Sequence, residues 1–435
     1  MNLLKLKMNE EKRFFLSISN ICNNRCMFCL ASDVHKNRNY FESFEDLKLK
    51  ILNIKNPENT KLIISGMGEA SIHPDFLRIV NFAKKNNFKK IQTISNGRMF
   101  SNEKFVKLSK ISGLDEITFS VHGHNSEIHD KLVGVNGSFN QIVLGIKNAQ
   151  NLGFIVNVDI VLNKINIEFF DKIIEFLLNI GIREFDILSL IPFGRAWEQK
   201  DELFFDLENY KNVLRRGIKL AISKNSYVWT NRMPACFLED FESLIQSPEK
   251  LIDEINGRKS DFDRVLLDGD KLYCFGEKCK FCSIEDLCSD IYFFNENKNK
   301  LEEKTKKITI LELENLKSFE DVMEIDCYDF LINSDNLNFL ELRKIIKKYP
   351  KFKYFNLPFC VSDFDVFMNN DLEFSNRFLK NGKLDVFEVT NSHIKYKKLL
   401  SKKCLKCIKK DKCGGFFYSL VKKYGFKKLE MEIEK

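Results

Sequence analysis

Thirteen of the 435 residues are cysteine, and it is their spacing that points to chemistry. Cys22, Cys26 and Cys29 form CX3CX2C, while Cys279, Cys282 and Cys288 form CX2CX5C, a pattern that Cys404, Cys407 and Cys413 repeat. Thiolates are soft ligands for zinc and for iron–sulfur clusters, and intervals this short let successive sulfurs gather round one centre. Disulfides are rare in a reducing compartment, and an odd cysteine count argues against complete pairing. The first group offers only three thiols. On a four-iron cube, three thiolates leave one iron open, and an open metal position can bind and polarise a substrate or cofactor directly. Half a zinc site is the competing reading of CX3CX2C taken alone.

The elements around these cysteines follow an α/β pattern. "RFFLSIS", "KLIISG", "KIQTIS", "EITFSV", "FIVNVDIV" and "EFDILSL" read as six strands. Helical patterns fall near 44–53, 75–87, 102–110, 138–152 and 167–180, with Gly153 and Gly181 as C-terminal stops. Alternating βα units predict a parallel sheet with helices outside it. Six units fit a partial (β/α)6 TIM-like barrel, since a full eight-stranded barrel typically takes about 250 residues. Cys22, Cys26 and Cys29 follow the first strand, so they sit at a strand's C-terminal end, where parallel βα folds build their active sites.

With Phe28 preceding Cys29, the CX3CX2C stretch resembles the signature of the radical S-adenosylmethionine (SAM) superfamily. The resemblance implies a [4Fe-4S] cluster on the three cysteines. Its open iron would chelate the amino and carboxylate groups of SAM. An electron from the cluster would then cleave SAM to methionine and a 5′-deoxyadenosyl radical that abstracts a substrate hydrogen. Further stretches are similar to the family's pattern. "SGMGEASIHPDF" resembles the Gly-Gly-Glu-Pro stretch, which implies close backbone approach at Gly68 and a Glu69 carboxylate that accepts from the SAM ammonium; Ala70 departs from the usual proline. "TISNGRMF" resembles Thr-Asn-Gly-x-Leu and implies Ser95 and Asn96 near the cofactor. "ITFSVHGHNSEIHDKLVGVNGSF" resembles the fourth-strand region, with Ser120 approaching the ribose. Val133 stands where the family often carries arginine, so no residue is assigned to the SAM carboxylate. By the same likeness Asn163 fills a polar position after the fifth strand, and Leu190 and Ile191 pack on adenine. His122, His124 and His129 read as structural or surface residues. "GMGEAS" is no dinucleotide loop, because Ser71 takes the third glycine position.

Beyond residue 195 an internal repeat appears. "NRMPACFLEDF" resembles "FNLPFCVSDFD", and "KCKFCSIEDLC" matches "KCLKCIKKDKC". Cys236 to Cys279 spans 43 residues and Cys360 to Cys404 spans 44. The economical reading is two copies of a four-cysteine unit, Cys236, Cys279, Cys282 and Cys288, then Cys360, Cys404, Cys407 and Cys413. The predicted organisation is a barrel over 13–195, a first unit over 196–294, a linker over 295–307, a second unit over 308–420 and a tail over 421–435. Both units resemble the SPASM and twitch extensions of radical SAM enzymes, which implies two auxiliary [4Fe-4S] clusters; zinc is the alternative occupant. Tyr292 and Phe417 stand where a SPASM pattern continues with cysteine, so the likeness is to tandem twitch units. "DGDKLYC" resembles the SPASM Gly-x4-Cys hairpin and makes Cys274 a rival to Cys236 as ligand; the repeat favours Cys236, because Leu399 takes the corresponding place in the second copy.

Composition bounds the function. Apolar residues make up 44% and charged residues 30%, as in folded globular proteins. The first residues lack a signal-peptide core, and no apolar run approaches the roughly 18 residues of a membrane span, so a cytoplasmic protein is expected. The net charge of +8 comes with lysines scattered over the chain and no compact run of arginine and aromatics, so nucleic-acid and membrane partners are not expected. Family members with auxiliary clusters characteristically modify peptides and proteins. The resemblance therefore implies a maturase whose auxiliary clusters transfer electrons, fed by a reductant such as a flavodoxin or ferredoxin. Small-molecule or cofactor biosynthesis is the competing enzyme reading, and a non-catalytic Fe–S or zinc partner-binding protein is the third. A barrel starting near residue 13 leaves no room before it for a leader-peptide domain, so recognition is expected from a partner or from the duplicated half.

Overall fold

The structure is a computed structural model that describes residues 12–31, 40–247, 250, 254–256, 258–272, 274, 276–282, 284–297, 306–310, 322–333, 339–349, 352–355, 358, 378–408 and 410–434. The chain divides into two compact units, Met1–Asn231 and Arg232–Lys435.

In the first unit, strands and helices alternate in chain order. β1 (Lys12–Ser17) is followed by α1 (Phe44–Leu52), β2 (Thr60–Ser65), α2 (Phe76–Lys85), β3 (Lys90–Ser95), α3 (Glu103–Ser112) and β4 (Glu116–Ser120). Then come α4 (Ser126–Val133), α5 (Ser138–Asn151), β5 (Ile155–Val161), α6 (Phe170–Asn179) and β6 (Glu184–Leu188). After the short helices α7 (Gly194–Glu198) and α8 (Lys200–Leu203), α9 (Lys211–Ser223) leads into β7 (Tyr227–Asn231). All seven strands pair in parallel, each beside its neighbour in sequence, so the sheet curls into a half-barrel. One sheet face is aliphatic and aromatic: Leu62, Ile64, Ile91, Ile117, Phe119, Val158, Ile160, Phe185 and Ile187 are inaccessible to solvent. Against it lie the apolar stripes of the helices, such as Ile79, Val80 and Ala83 of α2 and Ile173, Ile174 and Leu177 of α6. Each such side chain contributes about 1.5–3 kcal/mol on burial, and this apolar contact holds the layers together. Asparagines cap two helices, Asn102 accepting from Phe105 N (3.1 Å) and Asn125 from Ile128 N (3.0 Å).

The opposite sheet face is polar. Lys61 reaches both oxygens of Glu116 (2.9 and 2.8 Å), Asn157 Nδ2 donates to the same carboxylate (2.9 Å), and Gln92 Nε2 donates to Thr118 Oγ1 (2.6 Å). A buried ion pair adds little net stability, but breaking it is costly, so it fixes the register of β2 against β4.

The half-barrel has seven strands, one more than the six expected. The helix α9, within the stretch 196–294 expected to form the first cysteine unit, packs on α6, tied by Arg216 Nε to Asp171 Oδ2 (2.9 Å). β7 then pairs with β6 alone. As an edge strand it alternates exposed Tyr227 and Trp229 with buried Val228 and Thr230, too short a pattern to stand out in sequence. Residues 196–231 therefore belong to the barrel unit, and the boundary falls at 231–232 instead of 195–196.

In the second unit, α10 (Lys259–Asp268) and α11 (Glu285–Asn297) flank the first CX2CX5C array, and α11 runs into the expected linker. Downstream, β8 (Lys306–Thr309), β9 (Val322–Asp326) and β10 (Lys353–Phe355) form a small parallel sheet in the order β10-β9-β8. Between β9 and β10 lie α12 (Tyr328–Asn333) and α13 (Phe339–Lys348). Strand, helix, parallel strand and then proline thus occur twice, as β6-α9-β7-Pro234 and as β9-α13-β10-Pro358. The hairpin β11 (Leu379–Lys380) with β12 (Lys383–Leu384) and the helix α14 (Val386–Tyr396) lead to β13 (Lys398–Leu399). The second array lies on α15 (Lys402–Leu405) and α16 (Lys410–Cys413), and β14 (Phe416–Phe417), α17 (Tyr418–Tyr424) and α18 (Phe426–Glu434) follow it.

Candidate active site

The CX3CX2C loop leaves β1 at its C-terminal end and is held on all sides by the ends of other elements. From the β2 loop, Gly68 N donates to Ser19 O (3.1 Å) and Glu69 N to Ile21 O (2.8 Å). Gly68 is required there, because a Cβ on it would stand 2.1 Å from Ile21 O. From the β3 loop, Asn96 Nδ2 donates to Asn23 Oδ1 (2.6 Å), and Arg98 Nη1 donates to Asn23 O and to Asn24 Oδ1 (3.3 Å). From α4, the carbonyls of Leu132 and Val133 accept from Met27 N and Arg25 N, both at 2.9 Å. Val133, at the position where the family often carries arginine, thus holds the loop through its backbone. From the β6 loop, Arg195 N donates to Cys29 O (3.0 Å) and Arg195 Nη1 to Cys26 O (3.1 Å). Gly194 makes that contact possible: its φ is +55°, and a Cβ would lie 2.4 Å from Cys29 O.

Glu69 is the buried centre of this arrangement, only 4% exposed. Its carboxylate accepts from Ser71 N (3.1 Å), Ser71 Oγ (2.5 Å), Ser95 Oγ (2.7 Å) and Asn96 N (2.7 Å). All four donors are neutral, and among the described residues no cation pairs with it. A carboxylate so placed is hydrogen-bonded but lacks a counter-charge, which is the environment that attracts an ammonium group.

The thiols are poised for metal in the same sense. Burial pushes the Cys22 thiol up to about 11, and the nearby Glu69 carboxylate adds to this. Burial also raises Cys26 strongly, reinforced by Cys22 and Cys29 and opposed by Arg195. Without metal these thiols stay protonated at neutral pH. A bound cationic cluster would displace the protons, and Arg195 would offset the charge of the resulting thiolates.

The structure brings Gly68, Glu69, Ser95 and Asn96 together at the cysteine loop. Phe28 packs edge-on to His122, with ring centroids 4.7 Å apart, and joins the apolar cluster containing Leu190. Ile191 lies in the same β6 loop and accepts from Phe193 N (2.8 Å). Ser120 ends β4, half-buried, in register with Asp159. The Asn163 side chain donates to Val161 O (3.1 Å) and accepts from Ile165 N (3.0 Å), bracing its own loop. His122 and His129 are buried and stacked, 5.9 Å apart. Burial lowers both, His129 to about 4. They serve as neutral acceptors, His122 Nδ1 from Val161 N (3.3 Å) and His129 Nδ1 from His122 N (3.2 Å). Arg98, Gly194 and Arg195 were missed as site residues, although "PFGRA" carries the Gly-Arg pair in plain view at a strand's end.

Four thiols of the second unit act on one another. Burial holds the Cys288 thiol up at about 12, opposed by Arg258 and reinforced by Cys282, Cys274 and Cys279. Cys274, the rival to Cys236, is thus among the thiols near Cys288. The left-handed Gly269 after α10 turns the chain back, leaving Cys274 only five residues before Cys279. Cys236 is buried in the separate turn Ala235–Leu238. In the second array, Cys404 and Cys413 act on each other, Cys407 is exposed, and Cys360 lies outside the described residues.

The radical SAM superfamily profile matches residues 16–177, which contain the cysteine loop, Glu69 and the loops after β3 and β4. The probable GTP 3′,8-cyclase of Saccharolobus islandicus is 30% identical over 216 residues, covering 49% of this chain and 68% of the relative. The chain belongs to the radical SAM superfamily. A protein of the same name from Saccharolobus solfataricus is 28% identical over the same length. Among solved structures, Streptococcus suis SuiB bound to precursor peptide SuiA aligns at 15% identity and a TM-score of 0.43, covering 56% of this chain and 54% of that one. The chain thus spans about half the length of that structure. Membership implies a [4Fe-4S] cluster and SAM, and the three thiols of one loop and the buried Glu69 carboxylate are of the donor types these groups take. No helix among the described residues is long and apolar enough to cross a membrane.

Proposed function

We propose that this radical SAM enzyme modifies a peptide or protein, with auxiliary clusters in its second unit passing electrons. When bound, the cluster and SAM supply reductive cleavage of the sulfonium C–S bond and a 5′-deoxyadenosyl radical. The chain's own residues bind and orient. Cys22, Cys26 and Cys29 would hold three irons, Glu69 would take the SAM ammonium, and Ser95 and Asn96 fix that carboxylate. Phe28 and Leu190 would exclude water beside the cofactor, and Ser120 would meet the ribose. Asn163 would contribute by shaping the β5 loop. The observation that carries this reading is Glu69, buried among four neutral donors next to the cysteine loop.

The peptide reading is supported by the two cysteine arrays and by the polar face of the half-barrel. Ser120, Asp159, Asp186 and Trp229 stand in one register row across β4 to β7, and so share a sheet face. Two carboxylates in that row suit amide or amine groups better than a triphosphate, whose charge would need cations there. The names of the relatives favour a second reading, a purine nucleotide as substrate in cofactor biosynthesis. Anaerobic assays separate the two. A short peptide encoded beside the gene should stimulate 5′-deoxyadenosine formation and change in mass, whereas stimulation by GTP alone would favour the second reading. Iron and sulfide analysis bears on the auxiliary sites: about twelve irons per chain supports three four-iron clusters, and about four irons with bound zinc supports zinc knuckles.

A further inference from the structure

One arginine of the second unit sits among thiols. Arg258 stands at the N-cap of α10, with Nη2 2.6 Å from Cys274 Sγ and Nη1 3.9 Å from Cys282 Sγ. Cys274, Cys288 and Cys282 all act on it electrostatically. Its guanidinium carbon lies 5.6 Å from the Phe262 ring, whose side chain is fully buried in α10. Guanidinium keeps its charge at every accessible pH, so a permanent cation is fixed beside the sulfurs of Cys274 and Cys282.

The second array has a different neighbour. Ser401 Oγ lies 3.4 Å from Cys404 Sγ and 2.5 Å from Glu430 Oε1, and the Glu430 carboxylate acts on Cys404. The Glu430 carboxylate is itself paired, with Lys403 Nζ 3.6 Å from Oε2, so among the described residues the second array shows no counterpart to the arginine among its thiols. Hydrogen bonds to cluster sulfurs and net charge nearby are the main levers on reduction potential, because the reduced cluster is the more negative state.

We propose that Arg258 is a positioning residue for an auxiliary cluster on Cys274, Cys279, Cys282 and Cys288, aiming Cys274 and raising that cluster's reduction potential. This rests on reading the first array as an Fe–S site. The couple involved is a one-electron reduction in which the cluster gains an electron from an added mediator. The guanidinium moves no proton and forms no covalent bond.

The test uses full-length reconstituted protein, with Cys404 and Cys407 replaced by alanine so that the first auxiliary cluster can be followed. SAM addition marks the signal of the other remaining cluster. Iron content and EPR-monitored potentiometric titration are compared for wild-type Arg258, Arg258→Gln and Arg258→Lys. The glutamine variant should be at least tenfold harder to reduce at a given potential, a fall of 59 mV or more, with lysine between it and wild type. Loss of the cluster from the glutamine variant and its retention at lowered potential in the lysine variant also supports the proposal. An unchanged potential in Arg258→Gln, or loss of the cluster from both variants, overturns it. Zinc in place of iron in the wild-type array overturns the underlying Fe–S reading and the proposal with it, and is told apart by metal analysis before any titration.

Discussion

Replacing Glu69 by glutamine removes one charge and changes little in shape, so its effect can be worked out contact by contact. The amide oxygen can keep the three donors at Oε1, namely Ser71 N, Ser71 Oγ and Ser95 Oγ. The amide nitrogen then faces Asn96 N, which donates to Oε2 at 2.7 Å in the wild type, and two donors oppose each other. A buried donor left unsatisfied costs about 1–3 kcal/mol of stability. SAM binding loses a charge-assisted contact of roughly 1.5–3 kcal/mol, equivalent to a 10- to 150-fold weaker Kd at about 1.4 kcal/mol per tenfold. Equilibrium dialysis of SAM against anaerobically reconstituted protein measures this, with iron content checked in each sample. The variant should keep its iron, because Glu69 is not a ligand. An affinity within threefold of wild type at equal iron content would refute the assignment of Glu69 to the ammonium.

Gly68→Ala places a methyl 2.1 Å from Ile21 O and must displace the loop carrying Cys22, so iron retained after desalting should drop sharply while far-UV circular dichroism changes little. Arg195→Gln removes the cation that opposes burial at Cys26 and the donor to Cys26 O; the reconstituted cluster should become harder to reduce and should lose iron faster to a chelator. His129 is held near 4 against an ordinary value of 6.5, so the unfolded chain binds its proton more readily and stability falls as pH drops from 6.5 towards 4. At pH 5 this residue alone accounts for about 2 kcal/mol; the urea midpoint should fall between pH 7.5 and 5 by less in His129→Gln than in wild type.

What the sequence made legible was chemistry carried by short intervals. Three cysteines after a strand, a Gly-Glu pair after the next and Ser-Asn after the third all fold to one place, because parallel βα units bring every strand's C-terminal end to the same rim. The superfamily and the half-barrel followed from those motifs. Less legible were features whose reason is tertiary. Val133 offered no cationic side chain, and its role in holding Arg25 N through a carbonyl has no sequence signature. β7 is an edge strand whose exposed Tyr227 and Trp229 interrupt any apolar run. Helix α4 went unassigned because only eight residues separate its Asn125 cap from Gly134. Arg195 and Arg258 are distant in sequence from the thiols they approach, and periodicity says nothing about such contacts. Repeat spacing favours Cys236 as ligand, whereas only the fold shows Cys274 near Cys288 and Arg258.

The most direct test of the central claim is 5′-deoxyadenosine formation by the reconstituted protein under anaerobic conditions with SAM and dithionite, compared with a Cys26→Ala variant. The account predicts 5′-deoxyadenosine and methionine in equal amounts from the wild-type protein and none from the variant. Absence of 5′-deoxyadenosine from wild-type protein whose cluster is shown to be filled and reduced would contradict it.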